Sequence, residues 1–373
     1  MQKEKRLIPQ LRFPEFEGEW KKKKLENRCS FFSGGTPTST KKDFYIGEIP
    51  FIGSGNIFDK QVDKFISDEA LKNSSAKIVE EGDILYALYG ANSGDVAISQ
   101  LSGAINQAVL CIRTKEKRKF LYQILTHKRE SIVRTYLQGG QGNLSAKIVK
   151  KIKIAFPENQ EQQKIADLLS AVDNRIQNLE KKKALLEQYK KGVMQQLFKQ
   201  EIRFKDDEGN AFPEWETRKL GDLLTIGSGK DYKHLDYGTI PVFGSGGLMT
   251  NVNDFLYDGD SVGIGRKGTI DKPVFLTGKF WTVDTLFYTH TFKNVIPRFI
   301  LYTFLKINWY KYNEASGVPS LSKRTIEIGV TSIKEQTKIA NFLSAIDQKT
   351  DLVDQQIEHA KTYKKGLLQQ MFV

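Results

Sequence analysis

At 373 residues the chain is long enough to bury two separate cores. It carries 57 Lys+Arg against 44 Asp+Glu, a formal charge of +13, which favours a polyanionic partner such as nucleic acid or an anionic membrane surface. The membrane reading fares badly: no stretch approaches the roughly 20 apolar residues of a spanning helix, and Met1–Trp20 is charged throughout, with no apolar signal-peptide core.

Taken in chain order, residues 1–155 read as a mixed α/β globular domain. The run Lys21-Lys22-Lys23-Lys24 fits a solvated strand edge or a backbone contact. Cys29 and Cys111 lie far apart, outside any metal-like spacing, and fit free thiols in a reducing, cytoplasmic setting. Asp83–Tyr86 and Asp95–Ile98 are short β-rich runs bounded by Gly and Asn turns, and Phe120 to Tyr136 has helical spacing. Gly-rich turns at Ser33-Gly34-Gly35, Gly53-Ser54-Gly55 and 139–142 display loops between these elements.

Residues 156–200 read as a long helix. Positions 169, 172, 176, 179, 183, 186, 190, 193 and 197 carry Leu, Val, Ile, Leu, Lys, Leu, Lys, Val and Leu, a heptad seam among charged residues. Residues 201–330 read as a second mixed domain, with Gly turns at 227–229 and 246–247 and helical spacing from Pro297 to Tyr312. Residues 331–373 repeat the seam as Leu343, Ile346, Thr350, Val353, Ile357, Ala360, Lys364, Leu367 and Met371. Either helix alone leaves an apolar stripe in water. The nearest cover is the other helix, packed antiparallel; a parallel coil between two molecules is the alternative. The fold class expected is α+β: two α/β domains joined by two long antiparallel coiled-coil helices. A helix of about 30 residues is on the order of 45 Å long, or roughly 13 base pairs of B-DNA.

The chain is an internal repeat, the feature to search for first. Leu169-Ser170-Ala171-Val172-Asp173 returns as Leu343-Ser344-Ala345-Ile346-Asp347, 174 residues later. Tyr189-Lys190-Lys191-Gly192 and Gln195-Gln196-Leu197-Phe198 return at that offset as Tyr363-Lys364-Lys365-Gly366 and Gln369-Gln370-Met371-Phe372. Gln162 and Ile165-Ala166 match Gln336 and Ile339-Ala340. The domains repeat more loosely. Ile49–Gly55 parallels Ile240–Gly246, and Asn143-Leu144-Ser145 parallels Ser320-Leu321-Ser322, at offsets that drift between 177 and 199. Alike helices suggest one job done twice, such as docking the same partner. Unlike domains suggest two different ligands. The plainer account is that loops tolerate insertions and helices do not.

No catalytic constellation is legible. His127, His234, His290 and His359 show no metal spacing and do not recur between repeats. There is no Walker A sequence, and nothing like the Asn-Pro-Pro-Tyr element that DNA adenine methyltransferases use. Gly263-Ile264-Gly265-Arg266-Lys267-Gly268 fits GxGxxG, but a dinucleotide loop must open a helix. The following Thr269-Ile270-Asp271-Lys272-Pro273-Val274 is β-branched and broken by proline. The acidic pairs Glu80-Glu81 and Asp206-Asp207 fit solvated turns.

Each globular segment is introduced by Pro-Glu and a Trp (Pro14-Glu15 with Trp20; Pro213-Glu214-Trp215). Each is closed by a helix with Gln-x-x-Ile-Ala and Leu-Ser-Ala-Val/Ile-Asp. With the stretch 139–145 before Phe156-Pro157 and Glu161-Gln162, the whole chain resembles the specificity subunits of Type I restriction–modification systems. The resemblance implies two target-recognition domains, each reading half of a bipartite duplex DNA site, with no catalysis of their own. It implies repeated helices that dock two methyltransferase subunits, with Gln162, Ile165, Gln336 and Ile339 on the partner-binding side. Restriction/translocase subunits would join through the complex. S-adenosylmethionine, ATP and magnesium would be used by those subunits, with no cofactor or metal bound by this chain. The second repeat departs from the pattern at Thr331-Ser332 and at 315–320, which bears on whether the two docking sites are equal.

DNA contacts call for Lys/Arg and hydroxyls toward phosphates, and for Arg, Lys, Asn, Gln or aromatic groups toward bases. In the first domain these are Thr36, Thr38, Asn56, Tyr89, Asn92, Ser93, Gln141, Asn143 and Lys147. In the second they are Lys230, Tyr232, Lys233, His234, Arg266, Lys267, Ser322, Lys323 and Arg324.

Overall fold

The structure is a computed structural model that describes residues 6–136, 143–266, 269–312 and 326–373. It divides into two compact units, one of Met1–Leu179 with Gln356–Val373 and one of Glu180–Gln355.

The first unit runs through β1 (Lys21–Lys24), β2 (Cys29–Ser33), β3 (Ile49–Ile52), β4 (Phe65–Ile66), α1 (Asp68–Lys72), β5 (Lys77–Val79) and β6 (Ile84–Ala87). It continues through β7 (Val96–Ile98), β8 (Gly103–Ile105), β9 (Val109–Thr114), α2 (Arg118–Tyr136), α3 (Ala146–Lys151) and β10 (Lys153–Phe156), and α4 (Asn159–Phe198) follows. The second unit holds β11 (Glu216–Lys219), α5 (Leu220–Leu223), β12 (Thr225–Ser228), β13 (Ile240–Gly244), β14 (Gly247–Val252), β15 (Tyr257–Asp258) and β16 (Ser261–Gly265). Then come β17 (Val274–Leu276), β18 (Lys279–Thr282), β19 (Leu286–His290), α6 (Pro297–Phe304), β20 (Glu327–Val330) and α7 (Ile333–Met371).

The first unit has sheets ordered β2-β9-β6-β7, β4-β3-β8-β5 and β1-β10. The second has β12-β19-β16-β17, β14-β13-β18-β15 and β11-β20. These are the same three sheets strand for strand, down to the parallel pairs β3–β8 and β13–β18. The lysine run is an edge strand, paired to β10 with its first three side chains exposed. Strand β6 is buried on both faces because its alternate residues serve different cores. Ile84 and Tyr86 join the cluster around Trp20 and Phe120, whereas Leu85 and Ala87 join the one around Ile52 and Ile105. Of the apparent GxGxxG, Gly263, Ile264 and Gly265 lie in β16, and β17 is the next regular element, so among the described residues no helix opens there.

The heptad seam holds. All nine of its positions on each helix are buried or half-buried, while the flanking lysines and glutamates face water. In the second unit Lys183 of α4 meets Asp354 of α7 at 2.5 Å and Lys190 meets Asp347 at 2.5 Å, so numbering rises on one helix as it falls on the other. Within each unit the two helices pack antiparallel. The expected helix over 297–312 is shorter than its spacing suggested. It ends at Phe304, and Trp309 folds back so that its Nε1 donates to the Phe304 carbonyl at 2.9 Å.

Candidate nucleic-acid interface

In the first unit the loops after β3, β6 and β8 meet. Asn92 Nδ2 donates to the Ser54 carbonyl at 3.3 Å, and Asn56 donates to Asp59 at 2.9 Å within the β3–β4 loop. The Asn106 amide donates to the Ile52 carbonyl, and the Thr36 hydroxyl donates to Gln107 Oε1 at 2.5 Å. Asn143 Oδ1 accepts from the Gly90 amide at 3.5 Å, beside the Leu144 amide bond to the Leu88 carbonyl. Five of the expected residues, Thr36, Asn56, Tyr89, Asn92 and Asn143, are thus gathered at one end of the domain. Ser145 caps α3 by accepting from the Ile148 amide, which places Lys147 exposed on its first turn. Thr38 is exposed two residues beyond Thr36.

Ser93 is a correction. It is 5% exposed, and its hydroxyl donates to the Leu88 carbonyl, so it closes the β6–β7 hairpin instead of facing a ligand. Gln107 is the residue that sequence reasoning missed. It is exposed at the same tip, in the short Asn-Gln turn between two β-rich runs, and that turn was the available signal.

In the second unit the corresponding centre is the turn after β18. The Lys230 amide donates to the Thr282 carbonyl at 2.8 Å, and Trp281 Nε1 donates to the Lys230 carbonyl at 2.8 Å. The His234 ring lies edge-on to Trp281 with centroids 5.8 Å apart. Arg266 is tied to the same turn by its amide bond to the Thr285 carbonyl, with its guanidinium 5.6 Å from the Phe287 ring centroid. Lys230, Lys233 and His234 are exposed and Arg266 is half-exposed. Tyr232 is half-exposed beside them, its ring packing against the core of Val242, Val252 and Trp281. Gln141, Lys267, Ser322, Lys323 and Arg324 lie outside the described residues.

One backbone approach underlies both tips. A Cβ on Gly34 would stand 1.7 Å from the Ile105 carbonyl oxygen, and one on Gly229 would stand 1.9 Å from that of Val283. Only glycine permits the chain to cross there. What the two tips carry is different. In the first unit residues 53–64 form a long loop between β3 and β4. In the second, β13 and β14 close in a tight hairpin with Gly244 opposite Gly247.

The four residues read as partner-binding face the chain's own interior. Gln162 and Gln336 are 1% and 0% exposed, and Ile165 and Ile339 are 2% and 1% exposed. Gln162 accepts from the Lys117 amide and donates to the Pro157 carbonyl; Gln336 accepts from the Ile296 amide and donates to the carbonyls of Asn294 and Thr331. A buried glutamine with both ends satisfied has no atom left for a partner, so these four pin each domain to the start of its helix.

A buried carboxylate reinforces each pin. Glu161 takes both arms of Arg12 at 2.8 Å and the Trp20 indole at 3.2 Å. Glu335 takes Arg203 at 2.9 and 3.2 Å and the Thr331 hydroxyl. Thr331 stands where the first repeat has Pro157, and its hydroxyl fills the place of the Trp20 donor. Among the described residues the Trp215 indole nitrogen is buried without a hydrogen-bond partner. Hydrogen bonding to the carboxylates pushes the Arg12 and Arg203 guanidinium pKa values up.

Among the described residues no group of His, Cys, Asp and Glu is arranged to hold a metal ion, and no helix is long and apolar enough to cross a membrane.

A family model described as the Type I restriction modification DNA specificity domain matches residues 17–188 and 213–362. The Type I restriction enzyme MjaVIII specificity subunit of Methanocaldococcus jannaschii is 29% identical, over 61% of this chain and 53% of that protein. A putative type I restriction enzyme MjaX specificity subunit of the same organism is 23% identical, over 95% and 93%. The chain spans about half the length of the first curated relatives it matches. The crystal structure of a Type-I restriction-modification S subunit from M. genitalium shares the fold, with a TM-score of 0.68 over 98% of this chain and 99% of that one, at 18% identity.

Proposed function

The chain belongs to the Type I restriction–modification DNA specificity family, and from that premise we propose that it reads a bipartite duplex DNA site, one half with each unit. Methyltransferase subunits dock on its helices and do the chemistry. S-adenosylmethionine, ATP and magnesium belong to the methyltransferase and translocase–nuclease subunits, and this chain binds none of them. Such a complex works in the cytoplasm, where the DNA is.

One observation carries this reading. A single framework of three sheets, pinned by the same Arg–Glu and Gln contacts, is built twice and bears two unlike tips. A shared framework suits a shared mode of docking on DNA. Unlike tips suit unlike base sequences, because base edges are read by the few side chains that reach them. The charge of +13 supplies the sequence-independent attraction to phosphates.

The test is methylation sequencing of a host carrying the chain with its cognate methyltransferase subunits. The expected result is one modified motif made of two short half-sites around an unread gap. Methylation or cleavage by the purified chain alone would make it an enzyme. No retention of duplex DNA at moderate salt, even with methyltransferase present, would leave only a coiled-coil scaffold.

A further inference from the structure

The second recognition tip holds two neighbouring apolar side chains in water. Leu248 and Met249, at the start of β14, are 64% and 54% exposed. Large apolar side chains side by side on a surface mark a contact made with another molecule. The strand explains how both come out. Val242 of β13 pairs with Thr250, but Phe243 pairs with Leu248, so Met249 is the extra residue of a β-bulge. A bulge breaks the alternation that sends neighbours to opposite faces, and it re-aims side chains.

The same bulge narrows the choice of occupant. Strand β14 is the outer strand of its sheet. An edge strand invites pairing with another chain, and a bulge blunts that pairing. The charges nearby point to a polyanion instead. Met249 lies over Gly244, where a Cβ would stand 2.7 Å from its Sδ and 3.4 Å from Val283 Cγ2. Val283 follows Thr282, whose carbonyl takes the Lys230 amide, and Trp281, against which His234 packs. The apolar pair therefore belongs to the same tip as the exposed Lys230, Lys233 and His234. In the first unit the matching residues, at the offset that relates Ile49 to Ile240, are Ile57 and Phe58. They are used differently: Ile57 is 1% exposed and packs with Ile52, and Phe58 lines a cavity with Tyr122 and Gln177.

We infer that Leu248 and Met249 form an apolar wedge that enters one base-pair step of the second half-site, so that part of that half-site is read through how easily the step unstacks. The inference rests on the DNA-reading proposal above and adds to it a reader that makes no hydrogen bond. Apolar side chains that enter a duplex part adjacent bases and bend it, and pyrimidine–purine steps yield most readily. The cost of parting them depends on the step, so sequence is selected without any base edge being touched. The cations of the tip hold the flanking phosphates, the sequence-independent part of the grip.

The experiment uses the full chain assembled with its cognate methyltransferase subunits, without S-adenosylmethionine. The probe is a duplex carrying the motif found by methylation sequencing. In it 2-aminopurine, which fluoresces when unstacked, replaces one base at a time in the second half-site. The methylated adenine is left alone, because a methyltransferase unstacks its own target. Wild type should raise the fluorescence at one pyrimidine–purine step. The double variant Leu248→Ala with Met249→Ala should lose that rise and bind the motif at least tenfold more weakly, with non-specific duplex held as before. Changing that step to a stiff purine–purine step should weaken wild type and leave the double variant unmoved. The conservative exchange Leu248→Met with Met249→Leu should keep both the rise and the affinity. Thermal melting controls for folding and should not change, since both side chains already stand in water. A wild-type complex that retains no duplex overturns the DNA reading and the wedge with it. A double alanine variant with unchanged rise and affinity overturns the wedge alone. A wild-type dimer in sedimentation that the double variant loses, with DNA binding unchanged, overturns it too, by giving the pair to a second copy of the chain.

Discussion

Asp173 of α4 and Lys364 of α7 form an ion pair at 2.6 Å, and the residues 174 places away from each, Asp347 and Lys190, form the same pair at 2.5 Å with the helices exchanged. Each aspartate also holds its own recognition domain. Asp173 accepts from Gln123 of α2 at 2.6 Å, and Asp347 accepts from the Tyr302 hydroxyl of α6 at 2.7 Å. One carboxylate per unit therefore joins helix to helix and helix to domain. Burial, with Asp347 adding to it, pushes the Tyr302 hydroxyl pKa up.

Lys190→Ala should destabilise the protein by about 1 kcal/mol, because it removes both the Asp347 pair and the cation held 5.1 Å from the Tyr302 ring centroid. In a unit of this size that is a fall in melting temperature of about 2–4 °C. Thermal unfolding followed by circular dichroism reads it; an unchanged midpoint would show that the pair contributes nothing.

Arg12→Met should cost about 3–5 kcal/mol, since it leaves Glu161, 0% exposed, with only the Trp20 indole. Arg203→Met should cost about as much, because Glu335 is equally buried and likewise keeps one donor, the Thr331 hydroxyl. Urea titrations of the two variants read both losses, and a cost under about 1 kcal/mol in either would contradict the buried pair.

Burial holds the His127 imidazole pKa below its ordinary 6.5, where it lies against Phe372 with ring centroids 5.8 Å apart. The unfolded chain therefore takes up this proton first as the pH falls. Stability should be flat in this respect above about pH 6.5 and decline below it. His127→Gln should remove that part of the decline. Melting temperatures measured from pH 8 to pH 5 for both proteins would show the difference, and parallel curves would remove His127 from the account.

Replacing residues 1–155 with another recognition segment should change one half-site and leave the other intact. At finer grain, Asn92→Ala or Gln107→Ala should relax only the first half-site, and Arg266→Ala only the second. Each lost base contact is worth about 1–3 kcal/mol of discrimination. Binding to a library of duplexes reads both halves at once; a change in both halves from one substitution would end the two-reader model.

Much of the architecture was legible in the residues. The offset of 174 and the heptad seam required two like helices, each with an apolar stripe to cover, and the Gly, Asn and β-branched runs marked loop-bearing domains before them. Polar identity was harder. The resemblance puts Gln162 and Gln336 toward a partner, yet in each repeat one backbone amide and one backbone carbonyl take the same glutamine side chain inside the chain. Ser93 has the chemistry of an outward contact, although the hairpin takes up its hydroxyl.

The sequence by itself determined that this protein is one design used twice, since periodicity and repetition are properties of the chain alone. Only the tertiary structure decided which repeated residues face inward. Direction depends on what a distant strand or helix brings within hydrogen-bond reach, as Arg12 is brought to Glu161 and Arg203 to Glu335. It also separated the tips from the frame, because loops far apart in sequence, at Thr36, Asn56, Asn92 and Gln107, become one surface only when β3 and β8 lie side by side.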